Sequence, residues 1–298
     1  MRRRYVLLDV FTTRRLTGNQ LAVVLDAEGL SDQTMQAIAR EFNVPETVFV
    51  LPAATPTNRA RLRIFTPGRE LPFAGHPTVG TSVLLRSLDG GAGTQELVLE
   101  ERIGPIRCEA TVGDDRSGSA RFIIPREPEH LDDIDNAADV AAALNLMLDD
   151  LGCDDFLLGN WSAGNPFTFV PVRGLDAVAR SSPNSAAWDR AFGPDDPAAV
   201  YVFCRETVDK HDFHARMFAP AHGIAEDPAT GSAVAAFAGM LARFGRLKDG
   251  AHEFTIEQGY EMGRPSLIGL SLTMRNGKLD RASIAGDAII VADGTLQA

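Results

Sequence analysis

Arg216-Met-Phe-Ala-Pro220, then His222-Gly-Ile-Ala-Glu-Asp-Pro-Ala-Thr-Gly-Ser232, then an apolar run from Ala233 to Leu241: the reading of this stretch decides the fold. Its pattern is a strand, a turn rich in Gly, Pro, Thr and Ser, and a buried helix. The chain contains that pattern twice. Arg63-Ile-Phe-Thr-Pro67 matches Arg216-Met-Phe-Ala-Pro220 at an offset of 153, and His76-Pro-Thr-Val-Gly-Thr81 matches Asp227-Pro-Ala-Thr-Gly-Ser232 at an offset of 151. The two-residue difference falls in the turn between.

A Pro at a helix start, preceded by His or Asp and followed by small hydroxylated residues and Gly, leaves backbone N–H groups free at the helix mouth, where they attract an anion. Two such mouths, built from Gly75, His76, Pro77 and Thr78 and from Asp227, Thr230, Gly231 and Ser232, point to one small anionic ligand held between them. The alternative is ordinary capping, in which Asp227 or Thr78 satisfies its own first turn and binds nothing. Duplication with the same Pro and Gly spacing favours the ligand site.

Outward from these turns the halves correspond segment by segment. Gly18-Asn19 and the strand after it answer Gly164-Asn165, Val48-Phe-Val-Leu51 answers Val200-Tyr-Val-Phe203, and Glu96-Leu-Val-Leu-Glu100 answers Glu253-Phe-Thr-Ile-Glu257. In the first half Ser31 caps a helix with Met35, Ile38, Ala39 and Phe42 at helical spacing. Further strands are expected at 96–100, 106–112 and 120–124, with a Gly113 to Gly118 loop before the last. The polar, proline-punctuated run from Pro125 to Asp135 is the candidate linker. Two domains are therefore expected, 1–125 and 126–282, with residues 283–298 crossing back to pair with the first. Many short strands and few helices predict an α/β (α+β) fold in which a strongly bent sheet wraps a central helix in each half. A cleft between similar halves is a favoured place for a ligand.

Composition excludes several classes. The 298 residues are 45% hydrophobic and 23% charged, enough for substantial cores, and the formal charge of −11 argues against nucleic acid or an anionic membrane as partner. Cys108, Cys153 and Cys204 are odd in number and widely spaced, which fits a reducing compartment. Met1-Arg-Arg-Arg opens like an export signal, but Asp9 cuts the apolar run, so a cytoplasmic location is expected. The three lysines, Lys210, Lys248 and Lys278, lie in no motif, and no G-x-G-x-x-G or P-loop is present. A pyridoxal Schiff base and a bound nucleotide are therefore not expected. His211 and His214, near Asp209 and Asp212, are spaced to lie on opposite faces of a strand, which argues against a metal site. Gln258-Gly to Arg264-Pro-Ser266 either borders the cleft or is a plain turn.

Catalysis needs departures from symmetry. Glu46 opens its strand where the second half has Ala198, and His76 stands where the second half has Asp227. Two carboxylates and an imidazole at one cleft are the equipment for moving a proton.

These residues resemble the PhzF family of phenazine-biosynthesis-like proteins, a branch of the diaminopimelate epimerase-like fold. The matching segments are Asp9-Val-Phe with Gly18-Asn19, Ala39-Arg-Glu41 with Glu46-Thr47, Phe73-Ala-Gly-His-Pro-Thr78, Glu226 to Ser232, and Gln258-Gly with Gly263 to Ser266. The resemblance implies two similar domains, each a mixed β-barrel around a helix, a homodimer, and no cofactor. It implies isomerisation by proton shift, with Glu46 as main acid/base, His76 and Asp227 assisting, and Gly75 and Ser232 holding a substrate carboxylate. The related two-cysteine racemases carry thiols at the helix mouths. Gly75 and Asp227 stand there instead, which argues against thiol-based racemisation. Two other readings remain open: a non-catalytic protein that binds a small anion, and an amino-acid epimerase using Glu46 and Asp227 as opposed bases.

Overall fold

In the computed structural model the described residues are 1–113, 117–193 and 198–298. Their contacts divide into two units, Met1–Pro125 with Ile284–Ala298, and Arg126–Ser283.

The first unit runs β1 (Arg2–Val10), β2 (Asn19–Val24), α1 (Asp32–Phe42), β3 (Glu46–Leu51), β4 (Ala60–Phe65), β5 (Glu70–Leu71), α2 (Gly75–Leu88), β6 (Gly93–Glu101), β7 (Gly104–Val112) and β8 (Ser117–Ile123). Ser31 caps α1, its side chain accepting from the Thr34 amide, and the helix buries Met35, Ile38 and Ala39. The middle of the expected Gly113 to Gly118 loop, residues 114–116, lies outside the described residues. Gly18, with φ +68°, makes the turn into β2; a Cβ there would stand 2.4 Å from the Val10 carbonyl oxygen, so no other residue fits.

The second unit runs β9 (Glu129–Asp133), α3 (Ala137–Ala143), β10 (Gly159–Ser162), β11 (Pro166–Pro171), α4 (Leu175–Arg180), α5 (Ser185–Phe192), β12 (Val200–Cys204), β13 (Phe213–Ala219), β14 (Ile224–Asp227), α6 (Gly231–Phe244), β15 (Gly250–Gln258) and β16 (Ser266–Arg275). A two-residue turn, Asn276-Gly277, with φ +53° and +70°, leads into the long strand β17 (Lys278–Gln297). The run from Pro125 to Asp135, read from sequence as linker, contains β9, which pairs with β10. Polar residues suit that strand because most of its side chains stay exposed.

Strand pairing repeats. In the first unit β1–β2 is antiparallel, β2–β3 parallel across α1, β3–β4 antiparallel, β4–β6 parallel across α2, and β6–β7 antiparallel. In the second unit β10–β11, β11–β12, β12–β13, β13–β15 and β15–β16 follow the same order of senses, with α4 and α5 in the first crossover and α6 in the second. In the first unit the remaining pairings, β7–β8, β8–β17 and β17–β1, close the strands into a mixed barrel. Residues 288–297 of β17 supply the strand opposite β1.

Each barrel is filled by a helix. In α2 every residue from Gly75 to Arg86 is buried, and the helix contacts β1, β2, β3, β6, β7 and β8. In α6 the residues from Ala233 to Leu241 are buried, and the helix contacts β9, β10, β11 and β16. A helix apolar all round is stable only when enclosed in this way.

Candidate active site

The first-unit site is built where β2, β3 and the first turn of α2 meet. Gly75 is the first residue of α2, His76 the second, Pro77 the third and Thr78 the fourth. Pro is tolerated there because its missing N–H would have had no intrahelical partner. Ala74, the N-cap, provides no side-chain hydrogen bond, so the helix mouth is not capped in the ordinary way. Glu46 begins β3, level with Leu21 of the parallel strand β2, and Asn19, fully buried, begins β2 two residues before. Gly80 lets α2 press against β1 and β2, since a Cβ there would lie 2.6 Å from Leu21 and 2.7 Å from Val10.

This packing brings the His76 Nε2 to 3.3 Å from the Glu46 Oε2, with the imidazole buried and the carboxylate nearly so. Burial drives the pKa of His76 down to about 3, against a hydrogen bond to the backbone of Gln20 that favours the cation. A bond that favours the cation is one in which the ring donates, which leaves Nε2 as the acceptor in a neutral imidazole. A carboxylate beside a neutral imidazole can take a proton from a substrate and return it.

Thr78, expected to bind substrate, turns its hydroxyl inward to the Ala74 carbonyl oxygen at 2.8 Å and the Glu101 Oε1 at 2.6 Å. A hollow of about 760 Å³ elsewhere in this unit is lined by Asp32, Arg61, Arg63, Glu70 and Arg102, among others, and by neither Glu46 nor His76. Its Arg63 is already bound to Asp32 and Glu70.

In the second unit Asp227 ends β14, and α6 begins at Gly231 and Ser232. Asp227 therefore stands before its helix, whereas His76 stands inside its own. The Asp227 side chain accepts from the Thr230 hydroxyl at 2.6 Å, and Thr230, the N-cap, makes no side-chain bond to the helix. Two groups that sequence reasoning did not assign hold this turn, and a third lies near it. Gln258 donates to the Asp227 carbonyl oxygen at 2.8 Å and to the Thr230 hydroxyl at 3.0 Å, and accepts from the Thr230 amide at 3.1 Å. Gly259, with φ +77°, backs onto Pro228, where a Cβ would lie 2.6 Å from the carbonyl oxygen. Tyr201 of β12 is buried, and its phenol pKa is raised by burial and by the charge of Asp227. The Gly and Pro content of the turn from Gln258 to Ser266 was the one signal in the sequence.

His211 and His214 correct the strand-face expectation. β13 starts at Phe213, so His211 lies before it, and both rings bond the same carboxylate, Glu257, at 2.8 and 2.9 Å. Glu257 also accepts the Val208 and Asp209 amides, each at 2.7 Å. Burial opposes charge on His214, but hydrogen bonds to Glu261 and Glu257 outweigh it and raise its pKa. The cluster anchors the turn that carries Gln258. Among the described residues no group of three or more His, Cys, Asp or Glu is arranged to hold a metal ion, and no helix is long and apolar enough to cross a membrane.

A mixed barrel closed around a helix, with a carboxylate and an imidazole meeting at the helix mouth, has the fold of the PhzF proteins. The phenazine biosynthesis-like family model matches residues 8–294, and the chain belongs to that family as an isomerase. It is 49% identical to an uncharacterized isomerase of Mesorhizobium japonicum, over 99% of this chain and 98% of that one. It is 35% identical to the trans-2,3-dihydro-3-hydroxyanthranilate isomerase of Pseudomonas chlororaphis, over 98% of each chain. The crystal structure of a PhzF-family phenazine biosynthesis protein from Bacillus anthracis superposes with a TM-score of 0.89 at 29% identity, covering 100% of both chains.

Proposed function

We propose that this isomerase moves a proton between two carbons of a small carboxylate-bearing molecule without a cofactor. The observation that carries the reading is the 3.3 Å approach of Glu46 to His76 beside a helix mouth that no side chain caps. In the proposed step Glu46 removes a proton from one carbon, the electron pair shifts along the conjugated system, and the proton is returned at another carbon. His76 shares the proton with Glu46 while the substrate rearranges. The step changes no oxidation state, so no electron carrier is called for.

The substrate carboxylate is assigned to the free amides at Gly75 and His76, where the helix dipole also favours negative charge. Asp227, Thr230, Gly231 and Ser232 are assigned to the same substrate on the strength of the duplicated motif. A cyclic amino or hydroxy acid of the dihydro-hydroxyanthranilate type is the first candidate, because relatives are named for that reaction.

The test is incubation with trans-2,3-dihydro-3-hydroxyanthranilate in D2O, following solvent deuterium into the product by NMR. Glu46→Gln is expected to lower kcat on the order of 100- to 10,000-fold, the usual cost of losing a positioned general base. Undiminished turnover by that variant would remove Glu46 from the assigned role.

A further inference from the structure

A buried carboxyl group near the candidate site takes no part in the proton transfer proposed above. Glu101, the last residue of β6, follows the alternation in which Leu97 and Leu99 point into the barrel. It reaches α2, where its Oε1 lies 2.6 Å from the Thr78 hydroxyl. The same hydroxyl lies 2.8 Å from the Ala74 carbonyl oxygen. A hydroxyl has one proton to give, and a carbonyl oxygen can only accept. If Thr78 donates to Ala74, the second short contact needs a donor, and the carboxyl must supply it as O–H. The other oxygen of Glu101 points the same way. Oε2 is buried with no hydrogen-bond partner among the described residues, a tolerable state for the carbonyl of a neutral acid and a costly one for a carboxylate.

We propose that Glu101 is a positioning residue for the Glu46–His76 pair: a neutral carboxylic acid whose O–H fixes Thr78 and, through the Thr78 to Ala74 bond, the first turn of α2 that carries His76. The proposal rests on the assignment of Glu46 and His76 as the proton-transferring pair. In the proposed state Glu101 donates to Thr78 and Thr78 to the Ala74 carbonyl oxygen, across contacts of 2.6 and 2.8 Å, and the Ser82 hydroxyl donates to the Thr78 carbonyl oxygen at 2.7 Å. Ala74 is the residue before Gly75, so the chain ends where the free amides of the helix mouth begin. Facing Glu101 are the Cys108 thiol of β7, which burial pushes up to about 12 and which therefore adds no charge at neutral pH, and the hollow that Glu101 lines with Asp32, Arg61, Arg63, Glu70 and Arg102. Burial raises the pKa of Glu101 to about 8, outweighing the lowering that a hydroxyl donated by Thr78 to the carboxylate form would bring.

The test uses the full chain with ¹³C-labelled glutamate carboxyls and ¹⁵N-labelled histidine. The Glu101 resonance, assigned by its loss in Glu101→Gln, is expected at the neutral-acid position at pH 6.5 and to titrate near pH 8. Glu101→Gln keeps a donor of the same shape, so the His76 ring resonances are expected unchanged, with kcat on trans-2,3-dihydro-3-hydroxyanthranilate restored to within about two-fold of wild type. Glu101→Leu and Thr78→Val keep the volume and lose the bond. They are expected to shift the His76 resonances and lower kcat about ten-fold or more with KM little changed. A carboxylate resonance at pH 6.5, or His76 resonances that move as far in Glu101→Gln as in Glu101→Leu, would overturn the proposal. Failure of the wild type to turn over this compound would count against the proposed substrate alone, since both NMR readings are made without it.

Discussion

Gly80→Ala tests how the barrel packing sets the geometry of Glu46 and His76, the proposed proton-transferring pair. Gly80 lies one turn after His76 on the face of α2 that meets β1 and β2, so a displacement at one is felt at the other. The added Cβ would stand 2.6 Å from the Leu21 Cδ2 and 2.7 Å from the Val10 Cγ2, about 1 Å short of ordinary contact. Both neighbours are fully buried, which leaves them little room to retreat. Two effects compete. Alanine favours a helix interior over glycine by about 1 kcal/mol, and overpacking a closed core costs about 1–3 kcal/mol. Overpacking prevails if α2 is as tightly held as the contacts imply, for a net loss of up to about 2 kcal/mol and a fall in Tm of a few degrees. Activity should suffer more than stability. Moving α2 outward lengthens the 3.3 Å approach of His76 to Glu46, and a misplacement of about 1 Å can cost on the order of 100-fold in rate. The assay pairs thermal unfolding with kcat and KM for proton exchange. Gly68→Ala serves as control, because the nearest atom to its Cβ is the Thr66 hydroxyl at 3.7 Å. A Gly80→Ala protein with raised Tm and unaltered kcat would show that helix propensity outweighs packing here and that the pair does not depend on the closeness of α2.

Two further outcomes are expected. The pH dependence of stability should have two opposed limbs from buried groups: His76, with its pKa depressed to about 3, leaves the unfolded chain binding more protons below about pH 6.5, so stability falls as pH falls from there toward 3. Glu101, raised to about 8, leaves the folded chain binding more protons above its ordinary value, so stability falls as pH rises from about 4.5 to 8. Each limb amounts to at most about 5 kcal/mol, and urea titrations should show the first flattened in His76→Gln and the second in Glu101→Gln. Arg216→Lys should cost about 3–5 kcal/mol by denaturant midpoint, because the buried guanidinium grips Glu226 with two nitrogens at 2.8 and 2.7 Å and gives a third to carbonyl oxygens at the end of α4. A loss under about 1 kcal/mol would mean that an ammonium can fill the same role.

The duplication was legible because it repeats side chains that do the same work twice. Arg63 binds Glu70 through the same two nitrogens with which Arg216 binds Glu226, and each arginine thereby ties the strand before a motif turn to the short strand after it. The Arg-x-Phe-x-Pro spelling preserves that arrangement and so appeared in the sequence. The acceptors did not appear, because Glu70 lies seven residues after its arginine and Glu226 ten after. Glu46 and His76 stood out as departures from symmetry, but their contact depends on the register of β2 with β3 and on the closeness of α2, neither of which a one-dimensional pattern contains. His211 and His214 were misread for a related reason. The rule of alternate faces applies inside a strand, and β13 begins between them.

The two motif turns share a spelling and differ in where the helix begins, and that difference decides what each can do. Aligned at the offset that matches His76 to Asp227, α2 starts five residues earlier than α6. In the first unit no strand competes for the turn, and Pro77 with the inward Thr78 hydroxyl draws it into the helix. In the second unit Asp227 is paired with Met217 as the last residue of β14, and Gln258 holds the following backbone through Asp227 and Thr230. Those bonds keep the segment from Pro228 to Thr230 out of the helix. His76 consequently rides on a helical turn that fixes the ring against Glu46 and leaves it neutral. Asp227 ends a strand with a hydroxyl donating to it, a setting that steadies a carboxylate as an acceptor. One spelling thus gives two different environments for an ionisable side chain through a shift in the helix start, with no change in the order of elements around it.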